Sequence, residues 1–303
     1  MTGPDGGGAR LRVTATHVLV GGGAPRAGDA LAAVDGDVAG ARRVFVPAPL
    51  PCGECATCRR ALTAACRSPQ TPLSLDQQQS SVAERFVTPI SEPAWANLAA
   101  PVIAAAGLAA EVLEATARSG LGPGDTAIWI GVEPWVSLGA SFSARRSCRT
   151  FTVASGPRAR AEAIVDLDPG GDAAAWQRVL ADAEASSGAG HGRPERRIFV
   201  YGAGAAPARA ALRLTAPGST LSFRRGTPAS LDGLDRCGGP VRILVGGGYH
   251  PDLIPEALAL LSRGEIDVAP AIREIELPEL DSALAALEAG RDVRLPLVRL
   301  RDS

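Results

Sequence analysis

The chain contains no lysine, so all 31 basic side chains are arginine. Covalent catalysis through a lysine amine is thereby excluded. Aromatic residues make up only 4% of the chain, and the arginines are scattered and matched by 32 acidic residues to a formal charge of −1. No basic stripe interleaved with aromatics is present, so nucleic acid is not an expected partner. Nor does any apolar run reach the eighteen or so residues that span a bilayer. The opening "MTGPDGGGARLRV" has no apolar stretch behind a basic one. It reads as a frayed tail and not a secretion signal, and the expectation is a soluble, cytoplasmic protein that does not touch membranes.

What is there in quantity is Ala, Gly and Pro, a bias that with the all-arginine basic set reflects a GC-rich genome. With 46% apolar residues in 303, the chain can bury a substantial core and is long enough for two domains or one large one.

Four of the six cysteines lie in "PCGECATCRRALTAAC", residues 51–66. Cys52, Cys55, Cys58 and Cys66 have two, two and seven residues between them. Thiolates so spaced can surround one Zn²⁺, and a closed set of four leaves no position for water or substrate, so the metal is structural. Disulfides are disfavoured, because nothing points to an oxidising compartment and the cysteines are too bunched to staple a small fold.

This Cys-Gly-x-Cys-x-x-Cys-x₇-Cys lobe resembles the structural-zinc loop of the zinc alcohol dehydrogenases, in the medium-chain dehydrogenase/reductase superfamily. The flanks are similar too: "ARRVFVPAPLPCGEC" resembles the strand before the loop, and "AERFVTP" the strand that closes the catalytic domain. The resemblance runs from about residue 43 to the end. It implies a shortened GroES-like β domain over 1–97 carrying the zinc lobe at 52–66, a Rossmann-like domain over 98–268, and a return to the first domain over 269–303. It also implies a homodimer or tetramer paired through the edge of the Rossmann sheet. The wording of "VIAAAGLAAEVLEATARSGLGPGDTAIWIGV" is most similar to the 6-hydroxycyclohex-1-ene-1-carbonyl-CoA dehydrogenase branch, which implies NAD and an acyl-CoA alcohol.

The residues themselves agree on the fold class. Leu98 to Ser119 has apolar residues at helical spacing with Glu111, Glu114 and Arg118 off the stripe, and predicts one or two helices stopped by "GLGPGD". "TAIWIG" predicts a buried strand, "LGASFSARR" a helix and "CRTFTVAS" a second strand. Strand, helix and strand within thirty residues form a βαβ unit, hence a doubly wound parallel sheet and an α/β protein. "RIFVY", "STLSFR" and "VRILVGGG" predict further strands, with "AAPARAALRLT" and "PDLIPEALALLSRG" as helices and "ASSGAGHGRPERR" as a loop.

A dehydrogenase of this family needs a Gly-x-Gly-x-x-Gly turn after the first Rossmann strand, and the residues found are Gly131-Val132-Glu133-Pro134-Trp135-Val136. Only the first glycine remains. Glu133 sets a carboxylate where phosphate charges would sit, Pro134 removes a backbone donor, and Val136 adds bulk where helix and strand should approach. Trp135 is expected to be core or a plug. At the end of the second strand, where an acid would hold the ribose, stands Ala154, followed by Ser155 and Arg158 with Arg160 nearby. Gly131, Ser155 and Arg158 are the cofactor-binding candidates, and only if NADP binds. A solvated loop is the competing reading, as it is for the second glycine pair, Gly202 and Gly204.

The catalytic zinc of the family is missing its apparatus: no cysteine precedes Cys52, no Gly-His-Glu occurs, and the 98–119 segment holds no cysteine. By this resemblance the N-terminal region is shorter than the family's by roughly a catalytic segment. His17 is expected in a strand as a structural histidine, and Cys148 and Cys237 as incidental thiols. Tyr249 and His250 in "GGGYHPD" have proton-donor and acid–base chemistry, with a loop role expected. No catalytic residue is assigned. The leading expectation is a zinc-binding, dehydrogenase-like protein that has lost hydride transfer and works as a binding or assembly partner. The alternatives are an active NAD(P)-dependent oxidoreductase without catalytic zinc, acting on an alcohol, enone or acyl-CoA, and a small-molecule sensor using the old cleft.

Overall fold

A computed structural model of the chain describes residues 10–20, 28–52, 54–59, 66–154, 164–166, 173–185, 195–201, 205–224, 238–246, 248–289 and 291–300. In chain order the strands are β1 (Arg10–Leu19), β2 (Ala30–Val38), β3 (Ala41–Val46), β4 (Gln79–Ala83), β5 (Thr88–Pro89), β6 (Thr126–Gly131), β7 (Arg149–Ala154), β8 (Ile164–Asp166), β9 (Arg196–Tyr201), β10 (Thr220–Arg224), β11 (Arg242–Gly246), β12 (Ile272–Glu276) and β13 (Leu295–Arg299). The helices are α1 (Ala56–Arg59), α2 (Pro93–Ala96), α3 (Ala100–Ala104), α4 (Ala106–Ser119), α5 (Trp135–Arg145), α6 (Ala173–Ala185), α7 (Ala205–Leu214), α8 (Ile254–Ser262) and α9 (Leu280–Glu288). No helix among the described residues is long and apolar enough to cross a membrane.

The chain divides into two compact units. One comprises Met1–Ala110, Tyr249–Gly264 and Val268–Ser303, the other Glu111–Gly248 and Glu265–Asp267. The division falls inside α4.

The first unit is a largely antiparallel sheet in the order β12-β13-β1-β2-β3-β5, with β4 also on β1. Its core gathers the inward residues of those strands, Val13, Ala15, Val34, Val44 and Val298 among them, and Leu280 and Ala283 of α9. "AERFVTP" departs from its expected form. β4 ends at Ala83, a 3₁₀ turn occupies Glu84–Phe86, and β5 is two residues pairing with β3. Pro89 has no N–H to give a ladder, which suits it to so short an edge.

The second unit is a six-stranded sheet in the order β11-β10-β9-β6-β7-β8, parallel at every pairing. Numbered within this sheet the order is 3-2-1-4-5-6 from the β8 edge, that of the doubly wound dinucleotide-binding fold. Every residue of β6, "TAIWIG", is buried, as a central parallel strand covered on both faces requires. The segment before β6 forms two helices, α3 and α4. Gly120 ends α4 with φ +71, its N–H on Ala117 O and the Leu121 N–H on Thr116 O. That closure needs a left-handed residue, which glycine supplies without strain. α5 begins three residues earlier than "LGASFSARR" suggests, because Pro134 caps its start and a helix's first positions need no N–H donor. α6 was not anticipated, although Trp176 and Leu180, four residues apart and both buried, form one apolar helical face.

Candidate functional site

The four cysteines of the lobe converge, their sulfurs all within 4.8 Å of one another. Cys52 Sγ lies 3.9 Å from Cys58 Sγ, and Cys55 Sγ 3.9 Å from Cys66 Sγ. A tetrahedron with metal–sulfur arms of about 2.3 Å has edges of about 3.8 Å, so the spacing suits zinc. Two of the four thiols, Cys55 and Cys66, are shifted towards the thiolate. Cys55 is lowered to about 5 by the Thr57 hydroxyl and the Arg67 and Cys58 N–H groups. Burial pushes Cys66 up, but donors from Cys52 and Ser68 outweigh it and leave it below the usual thiol. Among the described residues no other set of three or more His, Cys, Asp or Glu side chains is close enough to share a metal.

In the parallel sheet, ligands of this fold sit outside the carboxyl ends of the strands, where the order reverses. Here that point lies between β6 and β9, with Gly131 in register with Tyr201. Gly131 has φ +135, a conformation that favours glycine, so the turn keeps its first glycine for a backbone reason. The next residues fill the place where phosphates would approach. Glu133 is 8% exposed, and its Oε2 accepts from the Ser137 N–H of the first turn of α5 at 3.1 Å. The helix end that would bind an anion already holds one.

Beside it, Trp135 is buried. Its indole N–H donates to Glu111 Oε2 at 2.9 Å, and the Arg224 guanidinium covers its ring at 4.1 Å. Arg224 Nε donates in turn to Glu111 Oε1 at 2.7 Å. Tyr201 stacks on the same tryptophan with ring centroids 6.3 Å apart. Burial first, then the Glu111 charge, hold the Tyr201 hydroxyl well above the ordinary phenol range. Trp135 is therefore buried, as the expectation of a core residue or a plug requires, while Glu111, expected on the polar face of α4, is buried at the centre of the network. Arg224 was missed; a charged residue ending a buried strand was the available signal.

Val136 is fully buried without being glycine. The close approach of helix to strand is made instead at Gly139, where a Cβ would stand 2.3 Å from the Trp129 ring. Trp129 donates to Ser143 Oγ at 3.0 Å, so the contact is locked one turn further along α5.

Of the other cofactor candidates, Ser155 and Arg158 lie outside the described residues, as do Arg160, Gly202, Gly204 and Cys237. His17 sits in β1 with Nε2 3.8 Å from Glu274. The Cys148 thiol, pushed up to about 11 by burial and then by Asp125, donates to Gly122 O. His250 Nδ1 accepts from the Asp252 N–H and caps the 3₁₀ turn that follows. Tyr249 donates its hydroxyl to Asp29 Oδ1 at 2.7 Å, and the Ala48 N–H reaches the same oxygen at 2.8 Å. Gly107 makes room for this carboxylate, since its Cβ would fall 1.7 Å from Asp29 Oδ2. Asp29 is buried and was not singled out from the sequence.

No family model and no curated protein matches the chain. Solved structures match it in fold. An oxidoreductase/dehydrogenase of unknown specificity involved in membrane biogenesis, from Escherichia coli, has a TM-score of 0.75 at 16% identity, over 97% of this chain and 92% of that one. The alcohol dehydrogenase TADH from Thermus sp. ATN1 gives 0.70 at 17%, over 99% and 94%. A short chain alcohol dehydrogenase from Escherichia coli CFT073, complexed with NADH, gives 0.69 at 14%, over 96% and 92%. At such identities the likeness establishes the fold, that of alcohol dehydrogenase-like oxidoreductases.

Proposed function

We propose that this chain is a zinc-stabilised, dehydrogenase-fold protein of the cytoplasm that does not transfer hydride and acts by binding, as a homodimer or tetramer paired through the β11 edge or with another protein. The observation that carries the reading is the Glu133 carboxylate on the Ser137 N–H, which occupies the helix end that the fold offers to a dinucleotide phosphate. Trp135, held by Glu111 and Arg224, fills the space alongside. Cys52, Cys55, Cys58 and Cys66 would hold the zinc, which cross-links the lobe and, with four thiolates around it, offers substrate no open position.

The test is calorimetric titration of zinc-loaded protein with NADH and with NADPH, alongside a metal count. One zinc per chain and no heat from either nucleotide is expected, and micromolar binding of either would overturn the reading. The Glu133→Ala protein should gain a response to inorganic phosphate that the parent lacks.

A second reading is an active NAD(P)-dependent oxidoreductase without catalytic zinc, acting on an alcohol, enone or acyl-CoA, with Ser155 and Arg158 placing a 2′-phosphate. One observation favours it: a fold neighbour is complexed with NADH. Under it Glu133→Gly weakens turnover; under the first reading there is no turnover to weaken.

A further inference from the structure

The carboxyl-end rim of the six-stranded sheet is nearly balanced in charge. Glu111 is closed by Arg224 and the Trp135 indole. Glu114 Oε1 lies 4.0 Å from Arg118 Nε, and the same guanidinium donates to Val245 O. Glu133 is the exception. One carboxylate oxygen holds the Ser137 N–H, while the other, Oε1, is buried with no hydrogen-bond partner. No ion pair joins Glu133 to an arginine among the described residues.

A buried acceptor in that state calls for an occupant that supplies the donor. The helix end offsets only about half a unit of charge, so what remains at Glu133 is negative and disfavours an anion. Its neighbour Val132 is 44% exposed, which brings the turn to the surface. A compact cation with its own N–H donors meets both the charge and the missing hydrogen bond.

We propose that Glu133 Oε1 receives the primary ammonium group of a small ligand, making this turn a cation-recognising subsite. The inference rests on the reading above that the phosphate position is closed. It deepens that reading by naming the chemistry that the closed turn takes instead.

Methylammonium chloride is the probe, added to full-length, zinc-loaded protein under differential scanning calorimetry, with sodium chloride at equal ionic strength as control. The expected result is a saturable rise in Tm of at least about 2 °C with methylammonium, absent with sodium and absent in Glu133→Gln. An equal rise with sodium, an equal rise in Glu133→Gln, or no rise overturns the proposal. Should Glu133→Gln fail to fold, carbon-13 NMR of the parent decides: the Glu133 carboxyl resonance must shift on methylammonium addition with a midpoint matching the calorimetry, and a stationary resonance overturns the proposal. NADH is titrated in parallel. No amine response and no NADH heat defeats this inference alone, whereas NADH heat defeats the reading beneath it.

Discussion

Arg224 spreads its guanidinium 4.1 Å above the ring of Trp135 while binding the carboxylate, Glu111, that accepts the same indole's N–H. Three elements, α4, α5 and β10, meet in this arrangement, and each partner satisfies two others. Removing Glu111 leaves both a guanidinium and an indole N–H without their acceptor. Glu111→Ala should therefore lower stability by about 2 kcal/mol, a value discounted because the Arg224 side chain is 27% exposed. Glu111→Gln keeps an acceptor for the indole and should lose about half as much. Urea denaturation of the two variants checks the order.

Gly139 lies against Trp129 with no space for a methyl group. Gly139→Ala should destabilise by about 2 kcal/mol despite the better helix propensity of alanine, because ring and helix must move apart. Ser143→Ala keeps the close approach but strips the Trp129 indole of its acceptor, at about 1 kcal/mol. Denaturant midpoints of the two, compared with the parent, separate crowding from the lost hydrogen bond.

Asp292 is held down to about 2, first by the Arg294 side chain. Its folded value lies below the ordinary 3.8 of an aspartate, so its contribution is fully present above about pH 4 and is lost as pH falls through 2. Asp292→Asn should flatten the acid limb of the stability curve between pH 4 and pH 2 and leave the neutral limb parallel to the parent. Thermal melts across that window are the check.

Val245, on the edge strand β11, is 65% exposed. With self-association through that edge, Val245→Asp should shift the protein to monomer in sedimentation velocity at concentrations where the parent is dimeric. A parent that sediments as a monomer would sink the pairing.

The parallel sheet was legible because its signals are local. "TAIWIG" is six residues buried throughout, and the strand and helix that follow complete a unit within thirty residues. The convergence of the four cysteines was legible for the same reason, since they all lie within fifteen residues. Glu133 was legible as an obstacle because a glycine was expected in its place, although its bond to Ser137 was not foreseen. Glu111 and Arg224 are 113 residues apart and Asp29 and Tyr249 are 220 apart. In each pair the partner is chosen by the fold and not by the neighbouring sequence. Glu111 also carries a helical phase that suits solvent, until a strand end supplies its cation. AERFVTP, by contrast, was read as a strand from its resemblance to the closing strand of the zinc alcohol dehydrogenases, whereas a 3₁₀ turn at Glu84–Phe86 leaves only Thr88 and Pro89 to pair with β3.

Trp135 offers one more use. Its indole lies between a cation on its face and an anion on its N–H, so its electronic transitions carry the field of that pair. Opening of the network would change the near-ultraviolet circular dichroism of this side chain, and difference spectra against Trp135→Phe would isolate it. The buried indole is thus also an optical gauge of whether the Glu111–Arg224 network is intact.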